Sequence, residues 1–241
     1  MMPSAAFSRR ALYLQVWDAL TGRITSGVWK PGSAIPNESD LARDFGVSLG
    51  TIRKALKLME AQRLVTRRPG RGTFVNDQAA QQFADRFSSL RTADGQPVCG
   101  QAKSLEIAEG AANELECTRL RLRADEAVYR IRRVRDHSGQ VFMIEDVTLP
   151  AALFPGLADK KALADHIGAL AQQYGILLGK VEERISMGIP QAAIANALLV
   201  APGTPVMMLD RIVLMLDCHR PVEWRLVHCH LVNAYYLAEM G

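Results

Sequence analysis

The sequence predicts an α+β protein of two domains, a small helical domain closed by a β-hairpin and a larger domain built on an antiparallel sheet. Apolar residues recur at helical spacing in the first third of the chain and alternate at strand spacing beyond residue 98. The charge divides in the same region, because residues 1–78 carry a net charge of +6 and residues 79–241 carry −2. The 241 residues, 49% of them hydrophobic, are enough for two cores.

Composition also predicts the domain boundaries and the cellular compartment of the protein. We expect a first domain over residues 8–75, a polar linker over 76–97 and a second domain over 98–241. The four cysteines contain no C-x-x-C pair, so neither a disulfide framework nor a cysteine zinc site is expected. No apolar run approaches the ~18 residues that a membrane span needs, and no secretory signal is recognisable, which predicts a cytoplasmic protein without a membrane partner.

Two helices are predicted before the centre of the first domain. One runs from Leu12 towards Gly27 on a stripe of apolar residues four apart. The other is capped by Asn37 or Ser39 and runs through Phe45. A loop rich in proline and glycine separates the two helices.

A third helix and a hairpin complete the first domain. Ser48 is the expected N-cap of the helix, and the hairpin turns at Pro69-Gly70-Arg71-Gly72. Three helices followed by a basic hairpin predict a winged helix-turn-helix, whose third helix enters the major groove of DNA. The alternative is a small helical bundle whose Lys and Arg are simply solvated.

The segment Leu14 to Val75, which includes WKPGSAIPNESDLARDFGVSLGTIRKAL and GRGTFV, resembles the DNA-binding domain of GntR-type bacterial transcription regulators. The resemblance implies that Thr51, Arg53 and Gly72 contact operator DNA. It also shows departures, since this chain has Ser39 and Leu49 where many members have arginine.

These departures change the expected contacts with bases. Leu49 cannot bind guanine as an arginine does, although it can touch a thymine methyl, so Arg53 becomes the principal base reader. Gly50 slightly favours close approach of the helix start to a phosphate, and the alternative is a glycine that is merely tolerated. The residues expected at the DNA are Ser39, Ser48, Leu49, Gly50, Thr51, Arg53, Lys54, Lys57, Arg71 and Gly72.

The second domain is predicted to contain strands joined by hairpins. AVYRIRRVRD and VFMIEDVTLP flank a turn at residues 137–139. A helix at residues 161–174, a strand at 180–187 and a helix at 191–199 follow, and two long strands end the domain at 206–216 and 221–231. Because strands outnumber helices, an antiparallel sheet is expected.

The order of R-R-V-R, Glu145, LFPGL, APGTPV, Arg211 and PVEWR over residues 98–238 resembles the UTRA effector domain of the HutC branch of GntR regulators. That resemblance implies a fold similar to chorismate lyase and a pocket for a small effector.

Strand parity suggests where such an effector binds. Arg133 and Arg135 share one face of their strand, and Glu145 is a lone carboxylate among apolar residues on the neighbouring strand, on a row that begins at Val141. A buried glutamate needs a cation, so the residues alone are compatible with a closed Arg133–Glu145 ion pair or with an anion site. The UTRA resemblance favours an effector site and adds Glu183 and Glu223 to it.

Other patterns do not suggest further sites. The strand segment His228-Cys229-His230 has no third ligand at a useful spacing, so no metal site and no cofactor are expected. No nucleophile motif, P-loop or dinucleotide fingerprint occurs.

Two functions remain from the sequence. The first is a homodimeric repressor that binds a palindromic operator and is released from it by a small anionic or zwitterionic effector. The second is an enzyme of chorismate-lyase-like fold with a DNA-binding appendage.

Overall fold

The computed structural model of the protein describes residues 10–80, 90–96, 98, 101–137, 139–159, 166–230 and 233–237. Its contacts divide the chain into two compact units, residues 1–78 and residues 79–241. The start of the helix predicted at residue 161 and a large part of the predicted linker lie outside the described residues.

The first unit contains the three predicted helices, α1 (Leu12–Thr25), α2 (Glu38–Phe45) and α3 (Leu49–Ala61). Asn37, not Ser39, is the N-cap residue of α2, and its side chain accepts a hydrogen bond from the backbone N–H three residues on. The apolar faces of the three helices form one core, in which most side chains are almost fully buried.

A short hairpin follows the helices. Strand β1 (Val65–Arg68) pairs antiparallel with β2 (Gly72–Val75). The turn between them uses positive φ angles, 69° at Gly70 and 108° at Gly72, which glycine adopts without a steric penalty. Helices and hairpin together form the predicted winged helix-turn-helix.

The second unit is built on a six-stranded antiparallel sheet with the strand order β4-β5-β6-β9-β8-β7. Its strands are β4 (Gln101–Ala111), β5 (Ala127–His137), β6 (Gln140–Pro150), β7 (Leu178–Gly188), β8 (Val206–Met215) and β9 (Pro221–Cys229). The predicted antiparallel α+β class is confirmed. Strand β4 was not predicted, because it is an edge strand on which exposed charges interrupt the apolar alternation.

Three short helices and a 3-10 turn connect the strands. They are α4 (Glu114–Leu120), α5 (Ile167–Gln173) and α6 (Ala192–Ala197), and the turn is Ala151–Leu153. The last two helices correspond to predicted ones, whereas α4 was not predicted.

A two-stranded ribbon accompanies the main sheet. Strand β3 (Leu90–Thr92) pairs antiparallel with β10 (Ala234–Tyr236). Leu90 lies inside the linker predicted over residues 76–97, and its buried side chain packs in one cluster with Val227 of β9. This part of the predicted linker is therefore a strand of the second unit.

The main sheet has two covered faces. The inner face carries Val147 and Val213 and packs against α5 at one end, while the β3–β10 ribbon covers Val227 on the same face. The outer face carries Ile144, which packs against α6, and Trp224, which packs against α4.

The face predicted for Val141 is wrong because a β-bulge interrupts the alternation of its strand. The register between β5 and β6 shifts between Arg135 and Asp136, so that Val141 no longer alternates in step with Glu145. Val141 packs with Ile144 on the outer face instead of sharing the row of Glu145.

Candidate functional site

The start of α3 holds the residues predicted to meet the bases. The Ser48 side chain accepts a hydrogen bond from the Thr51 backbone N–H at 3.2 Å, and the two side-chain oxygens lie 2.9 Å apart. Leu49 is 40% exposed. A Cβ on Gly50 would make only ordinary contact, with Ser48 Oγ at 3.7 Å, so internal packing does not require glycine there.

Arg53 is exposed on the same helix and is held from the side. Its Nε donates to Glu38 Oε2 at 2.7 Å. Arg67 of β1 lies 3.5 Å from the other oxygen of Glu38 and 3.6 Å from a carboxylate oxygen of Glu60. One carboxylate of α2 thus bridges the third helix and the wing.

The remaining predicted DNA residues occupy different environments. The Lys54 ammonium lies 4.3 Å from the centroid of the Tyr13 ring, where a cation is attracted to the ring face. Ser39 at the start of α2, Lys57 on α3 and Arg71 at the tip of the wing are exposed. Lys54 therefore has a contact within the fold that the sequence analysis did not anticipate.

The inner face of the second unit buries a cluster of opposite charges. We call Arg133, Arg135, Glu145, Glu223 and Arg225 the charged cluster. Four of its members are less than a tenth exposed, with Glu145 and Glu223 at 2%. With three arginines and two glutamates, its formal charge is +1.

Glu145 is the centre of this cluster. Its Oε1 accepts hydrogen bonds from Arg135 Nε at 3.1 Å and from Arg225 Nη1 at 3.0 Å. Arg133 lies directly opposite Glu145 in the strand register. Glu145 Oε2 is buried and has no hydrogen-bond partner among the described residues.

Arg225 joins the two carboxylates. Besides its bond to Glu145, it donates from Nε and Nη2 to the two oxygens of Glu223, at 3.0 and 2.9 Å. Such a fork is the strongest arginine–carboxylate geometry. Arg225 was not predicted as a site residue, although its spacing of two from Glu223 places both side chains on one face of a strand.

The arginines of the charged cluster keep the Glu145 carboxylate ionised. Burial raises the pKa of Glu145, but the charges of Arg225 and Arg135 outweigh burial and lower this pKa to about 2. Burial lowers the pKa of Arg133, and the charge of Arg225 lowers it further. Glu145 and Glu223 oppose this lowering of the pKa, and an additional anion close to Arg133 would oppose it further.

Glu183 lies apart from the charged cluster, on the edge strand β7. Its Oε1 accepts from Arg211 Nε at 2.6 Å, and its Oε2 accepts from the Tyr236 hydroxyl of β10. Arg211 is the register partner of Arg225, so a row of charges continues across the inner face to β7. Arg211 and Tyr236 were not predicted as site residues.

The outer face carries a separate cavity of about 370 Å³. Two ion pairs line it, Arg130 with Glu116 at 2.6 Å and Arg132 with Asp146 at 2.7 Å, and Trp224 adds an apolar wall. Arg130 and Arg132 thus lie on the face of their strand opposite to Arg133.

His228 and His230 are both partly buried, and the Nδ1 atom of His228 has no hydrogen-bond partner in the described part of the chain. None of the described helices has the length and apolar composition to cross a membrane.

Comparison with known families matches both units. Residues 12–75 match the family of bacterial regulatory proteins described as gntR, and residues 100–232 match the UTRA domain. The crystal structure of PhnF from Mycobacterium smegmatis superposes with a TM-score of 0.57 at 23% identity, covering 94% of this chain and 99% of that chain. This likeness shows a shared fold.

Two curated relatives carry informative names. The mannosyl-D-glycerate transport/metabolism system repressor MngR of Escherichia coli (strain K12) is 24% identical over 199 residues, 82% of this chain and 83% of the relative. The histidine utilization repressor of Pseudomonas putida is 29% identical over 147 residues, 60% of this chain and 58% of the relative.

The relatives give no support to the enzyme alternative. The match to the UTRA domain alone spans more than half of the chain, and the DNA-binding match precedes it without overlap. The protein therefore belongs to the GntR family of bacterial transcriptional regulators, as a member with a C-terminal UTRA domain.

Proposed function

We propose that this regulator is a cytoplasmic, homodimeric repressor whose winged helices bind a palindromic operator, and that a small anionic or zwitterionic effector bound at the charged cluster releases it. The observation that carries this proposal is the composition of the cluster. Three arginines and two glutamates lie on one buried face with an excess of one positive charge, and an effector anion would neutralise it.

The polar atoms of the cluster indicate the kind of effector. Arginine binds carboxylates and phosphates through paired hydrogen bonds, so Arg133 and Arg135 suit an anionic group. Glu145 Oε2, which is buried without a hydrogen-bond partner among the described residues, suits a hydroxyl or ammonium group. A polar small molecule that carries both kinds of group would satisfy both.

The contacts of the β3–β10 ribbon support a structural route by which effector binding would change the conformation of the second unit. Leu90 of β3 packs with Met143 and Val227, which neighbour Glu145 along and across the strands. Tyr236 of β10 is bonded to Glu183 at the far end of the row of charges. An effector releases the protein from DNA only if it binds more tightly to the conformation with low affinity for DNA. The coupling free energy between two such sites is typically about 1 to 3 kcal/mol.

The names of two relatives support the proposed repression, and the size of a winged helix supports the proposed dimer. MngR and the histidine utilization repressor are both named repressors. A single winged helix contacts only a few base pairs, so useful affinity requires two copies on a two-fold symmetric site.

A two-step experiment tests the proposal. Thermal shift is measured with phosphorylated sugars, amino acids and small carboxylates, where a ligand at 100 times its dissociation constant adds ~2.7 kcal/mol. Each ligand that stabilises the protein is then titrated into a complex with a duplex that the protein selects from a randomised pool. Release of the duplex by a stabilising anion supports the proposal, whereas stabilisation only by cations or uncharged apolar molecules contradicts it.

A further inference from the structure

Glu38 occupies a special position between the two DNA-facing elements of the first unit. It is the first residue of α2, and its side chain is 29% exposed. One oxygen accepts from Arg53 of α3 at 2.7 Å, and the other lies 3.5 Å from Arg67 of β1. Glu60, 3.6 Å from Arg67, adds a second carboxylate to this group.

The bond to Glu38 uses the inner edge of the Arg53 guanidinium. Arg53 donates through Nε, and its two terminal nitrogens donate no hydrogen bond to any other residue that the structure describes. Those terminal nitrogens are the pair that binds O6 and N7 of guanine in the major groove. Arg53 is also the only arginine on α3, so no other guanidinium of that helix can replace it.

We propose that Glu38 is a positioning residue for base recognition, which holds the Arg53 guanidinium in place for a guanine while Arg67 holds Glu38. This inference rests on the proposed role of Arg53 as base reader. An exposed arginine has many rotamers, and binding DNA must fix one of them. A carboxylate that already restricts the side chain removes part of that entropic cost before DNA arrives.

The charge of Glu38 gives the proposal a distinctive signature. A carboxylate near the DNA repels phosphates, so it weakens binding to any duplex. Holding Arg53 strengthens binding only to duplexes with the correct base. Glu38 therefore raises the ratio of specific to random affinity, and its removal should affect the two duplexes differently.

The test measures Glu38→Ala by fluorescence anisotropy on two duplexes, one that the wild-type protein selects from a randomised pool and one of random sequence. We expect about tenfold weaker binding to the selected duplex, with unchanged or tighter binding to the random one. Glu38→Gln, which keeps an acceptor of the same length, should recover part of the loss.

Asp40→Ala is the matched control, because it removes the same charge from the same helix at a residue whose side chain contacts Arg43 and Asn37 instead of Arg53 and Arg67. It should leave the affinity ratio unchanged. Equal losses on both duplexes for Glu38→Ala, with a lowered melting temperature, would show a structural role and overturn the proposal. Equal gains on both would show simple repulsion and overturn it as well.

A double-mutant cycle separates this inference from the assignment of Arg53. If both hold, Glu38→Ala in an Arg53→Ala background causes no further loss on the selected duplex. If Arg53→Ala itself weakens both duplexes equally, the base-reader assignment fails. If Arg53→Ala is selective but Glu38→Ala still weakens the selected duplex in its absence, only the positioning role fails.

Discussion

Glu145 and Arg225 lie on neighbouring strands of the inner face, and Glu145 Oε1 accepts a hydrogen bond from Arg225 Nη1 at 3.0 Å with both side chains buried. The same guanidinium holds Glu223 through two further bonds. Arg225 is therefore the cation that makes two buried carboxylates tolerable in this sheet, and it is the structural support of the proposed effector site.

Replacing Arg225 should destabilise the second unit strongly. Arg225→Met leaves Glu145 and Glu223 buried without their shared cation, and breaking a buried pair in this way costs about 3–5 kcal/mol. Urea denaturation followed by circular dichroism measures the loss. Arg132→Met is the control, because its pair with Asp146 is half exposed and should contribute about 0–1 kcal/mol. Similar losses for the two variants would refute the supporting role of Arg225.

Acid should weaken the fold through Glu145. Its pKa in the folded protein is about 2, below the ordinary value of 4.5. A lowered folded pKa stabilises the protein fully above the unfolded pKa, and this stabilisation is lost as the pH falls from 4.5 towards 2. The expected loss is about 3 kcal/mol. Unfolding free energies of wild type and Glu145→Gln over this pH range test the assignment, since the variant should show a smaller slope. Parallel slopes would assign the acid sensitivity to other groups.

Much of the first unit follows from local sequence. Ser48 and Asn37 cap helices because their side chains accept from backbone N–H groups three residues on, and such signals are contained in a few consecutive residues. Helix α4 carries a comparable signal, the capping box of Asn113 and Glu116, which the sequence analysis overlooked.

The candidate effector site was only partly predictable. Alternation placed Arg133, Arg135 and Glu145 on one face, and the bulge beyond Arg135 moved only Val141. Arg225 was missed because the position of β9 between β6 and β8 depends on long-range strand order, which local patterns do not contain.

Base and phosphate contacts should separate on α3. Arg53→Ala is expected to cost about 1–3 kcal/mol on the selected duplex and much less on a random duplex, because only a base contact discriminates. Lys57→Ala should weaken both duplexes alike and reduce the salt dependence of binding. Gel-shift titrations at several salt concentrations measure both quantities. A uniform loss for Arg53→Ala would instead assign it to phosphate.

The protein should be a dimer that covers two half-sites about one helical turn apart or closer. Light scattering at micromolar concentration gives the mass in solution, and footprinting on the selected duplex gives the length of the protected site. A monomeric mass together with a single protected half-site would rule out the symmetric arrangement.

The most direct measurement compares wild type with Arg133→Ala, both bound to the selected duplex, during titration with the effector found by thermal shift. Arg132→Ala, on the outer face of the same strand, is the control. We expect equal DNA affinity for all three proteins without effector. The effector should release wild type and Arg132→Ala, whereas Arg133→Ala should bind it about 1.5–3 kcal/mol more weakly and stay on the DNA. If the effector releases Arg133→Ala at the same concentration as wild type, the charged cluster is a structural ion-pair network and the effector binds elsewhere.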